Sequence, residues 1–503
     1  MTAKPISQLF EDSRALRELI MRDRARPAYH TVCPEDDGVP GDPNATFYAN
    51  GRVHLMFLYH CEGDGFRFGH LSCADLLHWH RHPDALIPDE LDRGIFSGGA
   101  FVDDDGTVYI AYWSLKGENL EACNNGIRIA YSWDIAHNYT HWEKMPEEAV
   151  AATEHGILTV TNADGTVRHL PAADPSNIWK KDGFYYLQAG NLPVLNRYGR
   201  EGGDAEYSGD YTVLYRSRDL RTWKPLHRFY TRRTDNSWTA ADEDAMCPCF
   251  LPLPSSPEGG KATDTYLQLF ISHNRGCQYY LGEYDRANDR FLPRAHGRMS
   301  WVDNGYFAPE ALLMPDGRQI MWAWLPERRE DEAKRFGWSG VYGVPRSLWL
   351  REDGTLGIAP IAELRRLCGR MWREASEIRS DRLLIEAEFA AGAPASMDVL
   401  VSPDRTEFVR ISYEPARAAL SVDVSQCGRE GSRRIETAPL TLTEREPLKL
   451  TVFVDTSIVE VFANDRQAIG RRAFPCCADA TGVRLGETAT VFRAWEMDYT
   501  NPY

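Results

Sequence analysis

Between Ser7 and Arg24 the apolar residues Leu9, Leu16, Leu19 and Ile20 fall near one stripe of a helix. Arg22 and Arg24 stand at its C-terminal end, where the helix dipole favours cations. The pattern predicts a helical extension over residues 1–26, packed on its own domain or offered to a second copy. Beyond it the helical period gives way to short aromatic and β-branched runs. Asn50-Gly51, Asp105-Gly106, Asp182-Gly183 and Asp316-Gly317 are hairpin dipeptides, and they precede the runs VHLMFLY, TVYIAYW, FYYLQAG and RQIMWAW. A looser turn at Gly259-Gly260 precedes TYLQLFIS. A second element recurs downstream of three of these turns: Ser72, Asp75-Leu76 and Trp79, then Ser132, Asp134-Ile135 and Trp142, then Ser217, Asp219-Leu220 and Trp223. Repeated turn-and-strand units predict repeated antiparallel sheets. Five of them predict a five-bladed β-propeller over residues 27–362, with an all-β sandwich as the rival arrangement. The stretch IAELRRLCGRMWREASEI reads as a connecting helix, placing a linker helix at 363–380. From residue 381 to 503 the runs LLIEAEF, FVRISYE, LKLTVFV and IVEVFAN alternate as the strands of a C-terminal β-sandwich. The fold class expected is therefore all-β.

Composition narrows the partners. The chain has 503 residues, 43% of them hydrophobic, and a formal net charge of −16. An acidic balance argues against a nucleic-acid partner. No apolar run approaches the roughly 18 residues that span a bilayer, so no membrane partner is expected. The N-terminus lacks the layout of a signal peptide. Eleven scattered cysteines without framework spacing fit reduced thiols, so a cytoplasmic location is expected. The aromatic content (14 Trp, 23 Tyr, 20 Phe) suits strands and also sugar stacking, with Trp113, Trp179, Trp238, Trp322 and Trp324 as candidate platforms.

Acidic residues at matching offsets are the candidate chemistry of a repeated fold. Asp42 lies nine residues before Gly51, Asp174 lies nine before Gly183, and each is followed by proline. Two carboxylates at one position of two blades would point at a common centre. Glycoside hydrolysis needs such paired carboxylates. Asp-Pro also opens turns, which is the structural alternative.

Further motifs resemble glycoside hydrolase family 32, the invertase, inulinase and levanase family, from about Arg26 to the C-terminus. Gly41-Asp42-Pro43-Asn44 resembles the family's WMNDPNG motif. Phe68-Gly69-His70, Asp75-Leu76-Leu77-His78-Trp79 and Phe96-Ser97-Gly98-Gly99-Ala100 follow in family order. Asp174-Pro175 resembles its RDP motif and Cys247-Pro248 its ECP motif. Gly337-Trp338-Ser339-Gly340, Val344-Pro345-Arg346 and the run from Phe453 to Asn464 resemble later family segments. The resemblance implies retaining cleavage of fructosides without cofactor or metal. It implies Asp42 as nucleophile, Asp174 as the residue that steadies the sugar hydroxyls, and Asn44, Phe68 and Ser97 as substrate contacts. The departures are as informative. The family's Asn before the nucleophile is Gly41, its strand Gln is Leu58, its Trp before Gly-His is Phe68, and its RDP arginine is Ala173. The Glu of ECP, the expected acid/base, falls on Met246.

Two glutamates are candidates for the missing acid. Glu243 lies three residues before Met246 and is the expected acid/base; Glu310, in Phe307-Ala308-Pro309-Glu310, shares the axial face by strand alternation and is the second acid or a substrate contact. Asp242 and Asp244 are further acids of the same stretch. The cysteine pairs Cys247/Cys249 and Cys476/Cys477 read as buried thiols rather than metal ligands, and His30, His54, His70 and His78 as structural. The function expected is a retaining glycosidase with an altered sugar pocket, acting on a small fructoside-like or other furanoside substrate. An inactive carbohydrate-binding propeller and a glycosyl transferase are the alternatives. A homo-oligomer through the N-terminal helix or the sandwich is the only protein partner expected.

Overall fold

The computed structural model describes residues 5–501 apart from 37, 62, 118, 330–334 and 488. The chain divides into two compact units. One comprises Gly41–Trp324 and Pro345–Gly357; the other comprises the chain up to Pro40, Leu325–Val344 and the chain from Ile358. Residues 27–40, 325–344 and 358–362, expected with the repeated sheets, therefore belong to the C-terminal unit.

In the first unit, sheets of at least four strands follow one another in chain order. Val39–Ala49, Arg52–His60, Arg67–Cys73 and His80–Leu86 form the first; Gly94–Val102, Val108–Leu115, Ile127–Ser132 and Glu143–Val150 the second. After a hairpin of Ile157–Thr161 with Val167–Pro171, the third opens with Ala173–Pro175 and Trp179–Lys181 and continues through Phe184–Gly190, Tyr211–Ser217 and Trp223–Thr231. The fourth runs from Met246–Pro254 through Ala262–Ser272 and Gly276–Asp285 to Arg290–Arg298. The fifth runs from Phe307–Leu313 through Gln319–Trp324 and Arg346–Leu350 to Leu356–Pro360.

The repeats have local causes. Asn50-Gly51 and Asp182-Gly183 both place two residues at positive φ (50° and 74°, 52° and 75°), the geometry that matches strand twist in a two-residue hairpin. The recurring Asp-Leu-Trp element is the turn between the last two strands of a sheet. Asp219 Oδ1 accepts from the backbone of Arg221 and Thr222, Leu220 sits at φ 61°, and Trp223 Nε1 donates to Leu220 O at 3.0 Å. The apolar core lies between successive sheets. Leu58, Phe68 and Leu86 of the first meet Ile95, Ile110 and Tyr112 of the second, and Tyr186, Leu214 and Phe229 of the third meet Phe250, Phe270 and Tyr280 of the fourth.

The first sheet also buries histidines. His54 and His70 are both fully buried, and their rings share a hydrogen bond, Nδ1 to Nε2, at 2.9 Å. The His82 ring nitrogen meets Ser72 Oγ at 2.7 Å. Burial pushes His54 down to about 3 and His82 to about 4, and it holds His70 well below the ordinary histidine value.

The second unit has two sheets. One runs Cys368–Trp372, Val491–Met497, Arg382–Phe389, Leu448–Asp455, Ile458–Ala463 and Gln467–Arg472; the other runs Ile435–Pro439, Ala419–Asp423, Val409–Glu414, Ala395–Val401 and Gly482–Leu485. The expected linker helix at 363–380 is not a helix of that length. Ala362–Leu367 is a 3₁₀ turn that buries Leu364 and Leu367, Cys368–Trp372 is an edge strand paired with Val491–Met497, and Ala375–Glu377 is a second 3₁₀ turn. The N-terminal helix spans Ile6–Arg22 and buries Ile20, while Ile6, Leu9 and Phe10 stay exposed. Its Leu16 and Leu19 come so near Gly337, at φ +72°, that a Cβ there would meet Leu16 Cδ1 at 2.7 Å.

Buried carboxylates tie the early chain to this unit. Asp455 accepts from the backbone N–H of Ala28, Tyr29 and His30 at 2.7–2.9 Å and meets the His30 Nδ1 at 2.9 Å. Glu460 Oε2 meets His30 Nε2 at 3.1 Å and accepts from Val344 N at 2.6 Å. Burial lowers the His30 pKa, but its bonds to Asp455 and Glu460 outweigh that and raise it. His30, a structural histidine on the sequence reading, has this setting.

Two outcomes are expected. Asp455→Ala strands three buried N–H groups and the His30 ring, and should cost about 3–5 kcal/mol in urea unfolding, as breaking a buried ion pair does; a cost below about 1 kcal/mol would contradict this role. In the first unit, His54, His70 and His82 bind protons more readily when unfolded. Stability should be full above the unfolded histidine value of 6.5 and fall steadily as pH drops below it. The triple variant to Gln, Asn or Phe at these positions should flatten the melting temperature between pH 6.5 and pH 4; an unchanged slope would contradict the cause.

Candidate active site

The opening strands of the five sheets touch one another in sequence. First and second are joined where Asn44 Oδ1 accepts from Gly98 N at 3.0 Å and where Ser97 Oγ donates to Asp42 Oδ2 at 2.6 Å. Second and third approach so closely that a Cβ on Gly99 would meet Asn177 N at 2.2 Å, which explains the glycine. Third and fourth are joined by Asn177, whose amide exchanges two hydrogen bonds with the Phe250 backbone at 2.8 and 3.1 Å. Fourth and fifth meet where Cys249 Sγ donates to Ala311 O at 3.5 Å. Fifth and first meet where Glu310 Oε1 accepts from Thr46 N and Oγ1 at 2.8 and 2.7 Å.

Asp42 and Asp174 are brought together at this convergence. The Cys247 thiol lies between them, 3.4 Å from Asp42 Oδ2 and 3.6 Å from Asp174 Oδ2. Both carboxylates are buried, at 9% and 4% exposure, and Asp174 Oδ1 has no hydrogen-bond partner. Asp174 and Cys247 each precede a proline and hold φ of 38° and 47°, as does Ala308 at 49° in the fifth sheet. Such strain at non-glycine residues collects where a structure must aim side chains.

Desolvation dominates the electrostatics. Burial raises the Asp42 pKa, and the bonds from Ser97 and Cys247 draw it part of the way back. Burial, then the Asp42 charge, pushes Asp174 up to about 7. Two like charges in one dry site cannot both ionise cheaply, so near neutral pH the pair holds a proton much of the time. Burial and both carboxylates raise the Cys247 thiol well above its ordinary value, so it remains a donor to the pair.

The other expected site residues have different settings. Ser97 is buried and serves Asp42 directly. Asn44 Oδ1 accepts from Gly98 N and its Nδ2 donates to the Asp42 carbonyl, so it positions the Asp42 strand. Phe68 is fully buried in the apolar core between the first two sheets, which takes it away from any sugar face. Glu310 is buried on Thr46 and is pushed up to about 7 by burial. Glu243, expected as the acid/base, is an ionised ion-pair partner. Its carboxylate takes two bonds from Arg298 at 2.8 and 3.0 Å, one from Gln278 at 3.0 Å and one from Ala240 N at 2.9 Å. Burial alone would raise its pKa, but Arg298 and these bonds outweigh burial and lower it. A lowered pKa leaves no proton to donate near neutral pH, so the acid/base role does not fit Glu243.

His273 was not singled out by sequence reasoning. It follows Ala262–Ser272, and its Nδ1 bonds to Asp244 Oδ2 at 2.8 Å. Its pKa would fall with burial, yet Asp244 and the charges of Asp174 and Asp42 raise it. The signal that could have found it is the hairpin register that sets it opposite Asp244.

No group of three or more metal-ligating side chains occurs among the described residues. The apolar residues at the family's departures pack together: Ala173 and Met246 share a buried cluster with Trp113, Ile271 and Ala308.

Comparison with known proteins agrees with this architecture. A raffinose invertase of Escherichia coli is 28% identical over 89% of this chain and 89% of its own length. A sucrose-6-phosphate hydrolase of Klebsiella pneumoniae is 27% identical over 90% of each. Among solved structures, sucrose-6-phosphate hydrolase from Lactobacillus gasseri superposes with a TM-score of 0.78 at 21% identity, covering 97% of this chain and 96% of that one. Fructan 1-exohydrolase IIa from Cichorium intybus does so with a TM-score of 0.77 at 18% identity, covering 95% and 98%. The strand-dominated fold accordingly matches a propeller followed by a β-sandwich. Residues 35–360 match the N-terminal domain of glycosyl hydrolases family 32 and residues 371–496 match its C-terminal domain. The chain belongs to glycosyl hydrolase family 32 and is a glycosidase.

Proposed function

We propose that this chain is a retaining glycosidase acting on a small fructoside-like or other furanoside substrate through Asp42 and Asp174. The observation that carries the reading is the meeting of two buried carboxylates from separate sheets at one thiol. Ser97 and Cys247 both bond Asp42 Oδ2, which leaves Oδ1 as the attacking atom. A proton resident on Asp174 keeps Asp42 ionised, and the unpartnered Asp174 Oδ1 is an acceptor for a sugar hydroxyl. The five mutually touching opening strands support a five-bladed propeller around this site. The eleven cysteines stand as thiols outside disulfides, which fits a reducing cytoplasm.

The substrate differs from that of an ordinary invertase on this reading. Gly41 lies against Leu58, and Ala173 and Met246 sit in an apolar cluster where polar sugar contacts were expected. Each hydrogen bond missing from a sugar hydroxyl costs about 0.5–1.5 kcal/mol.

Sucrose and inulin should therefore be poor substrates, and sucrose turnover with kcat on the order of 10 s⁻¹ would contradict the altered pocket. On whichever furanoside is cleaved, Asp42→Asn should lose about 10³-fold or more in kcat/KM; full activity would remove the mechanism and favour a carbohydrate-binding role. Asp174 gives a pH test of the same geometry. Its folded pKa of about 7 lies above the ordinary 3.8, so the folded state holds a proton that the unfolded state loses between those values. Wild-type stability is therefore drained as pH rises through that window. Asp174→Asn should melt higher than wild type at pH 8 and about equally at pH 4; an equal melting temperature at both would contradict the desolvated pair.

A further inference from the structure

We infer that His273, held by Asp244, is the acid/base of this site, the group that protonates the leaving oxygen and later deprotonates water. The inference rests on the hydrolase reading above and supplies its missing proton donor.

The contacts around the His273 ring carry it. Met246 pairs directly with Ile271 across the first two strands of the fourth sheet. Asp244 and His273 lie two residues beyond each of them, just outside the two strands, and are bonded to each other there. Met246 and Ile271 pack in a buried cluster with Ala173 and Ala308, against which Cys247 and Phe307 also pack. Met246 takes the place of the glutamate in the family's ECP motif, and the His273 ring, packed on Phe307, borders the same cluster.

Asp244 is 1% exposed and grips His273 twice, Oδ1 accepting from its backbone N–H at 2.9 Å and Oδ2 from ring Nδ1 at 2.8 Å. A buried carboxylate on Nδ1 keeps the proton there and leaves Nε2 for chemistry. The edge of the ring packs on Phe307 of the fifth sheet, centroids 5.9 Å apart at 76°, and Asn304 donates to the His273 carbonyl. The side chain keeps 47% exposure, so a leaving group and water have access to it. The charged and titratable groups that act on it are Asp244, bonded to it, and Asp42 and Asp174, with the neutral Cys247 thiol between the pair. Their charges favour the imidazolium and raise the His273 pKa against the effect of burial.

The steps balance with water as the only co-reactant. Asp42 Oδ1 bonds the anomeric carbon as the C–O bond to the leaving group breaks, and that oxygen takes the proton from His273 Nε2. Nε2 then removes a proton from water, whose oxygen bonds the anomeric carbon as the ester to Asp42 breaks. The imidazolium is restored.

The test uses the full-length protein with p-nitrophenyl β-D-fructofuranoside, p-nitrophenyl α-L-arabinofuranoside, sucrose and 1-kestose. His273→Ala and His273→Gln should lose about 10²–10⁴-fold in kcat/KM on the best unactivated saccharide and far less on the aryl glycosides. The basic limb of the pH profile should vanish in both, and azide should raise aryl glycoside turnover. Asp244→Asn, which changes a positioning residue, should move the basic limb to lower pH. By NMR, His273 should titrate above 6.5 and shift down in Asp42→Asn. If Asp42→Asn is inactive while both His273 variants keep the basic limb and wild-type turnover, this inference is overturned and the hydrolase reading stands. If Asp42→Asn is also fully active, or the wild type cleaves none of the four, both fall. A His273 pKa at or below 6.5, unmoved by Asp42→Asn, overturns the inference without reference to turnover.

Discussion

Two carboxylates share one dry site in the first unit, and much of the surrounding structure answers to that constraint. Bringing Asp42 and Asp174 out of water costs free energy that only hydrogen bonds or a retained proton can offset. The site supplies both in part. Ser97 and Cys247 donate to Asp42, while Asp174 keeps one oxygen without a partner and a pKa near 7. Opening strands from different sheets must converge to hold this arrangement, and the backbone there is strained at Asp174, Cys247 and Ala308. A site stabilised for its own sake would pair these groups fully. Leaving them short of partners keeps binding energy available for a sugar.

The second unit uses buried charge in the opposite way. Asp455 and Glu460 are saturated by backbone N–H groups and by both nitrogens of His30. A second buried set joins Arg329 and Trp338 to Asp23, and Glu327 to Arg329 and Arg472. Buried networks of this kind specify one arrangement of distant segments. The acidic residues in the run from Phe453 to Asn464 therefore read as structural anchors, and the contrast with Asp42 and Asp174 is one of satisfaction rather than burial.

The parts of the fold visible in the sequence were those with local causes. Asn50-Gly51 and Asp182-Gly183 announce hairpins because two adjacent positive φ values suit few other dipeptides. The equal offsets of Asp42 and Asp174 carried over because repeated sheets repeat their geometry. What was hidden depended on partners far along the chain. The spacing of Leu364 and Leu367 resembled a helix, yet Cys368–Trp372 is drawn into a sheet by Val491–Met497. Glu243 looked like a displaced acid until Arg298, 55 residues on, claimed its carboxylate. Phe68 looked like a sugar contact until the second sheet covered it. His273 has no local motif, and only the pairing of Met246 with Ile271 brings it opposite Asp244.

The covalent role of Asp42 ties the carboxylate pair to chemistry, and it has a direct physical signature. During turnover of an activated aryl furanoside, an acid quench followed by peptide mass mapping should find one sugar residue esterified to the peptide that contains Asp42. The same quench of Asp42→Asn should find none. A sugar carried on another residue, or product released with inverted anomeric configuration and no adduct at any time, would contradict the mechanism.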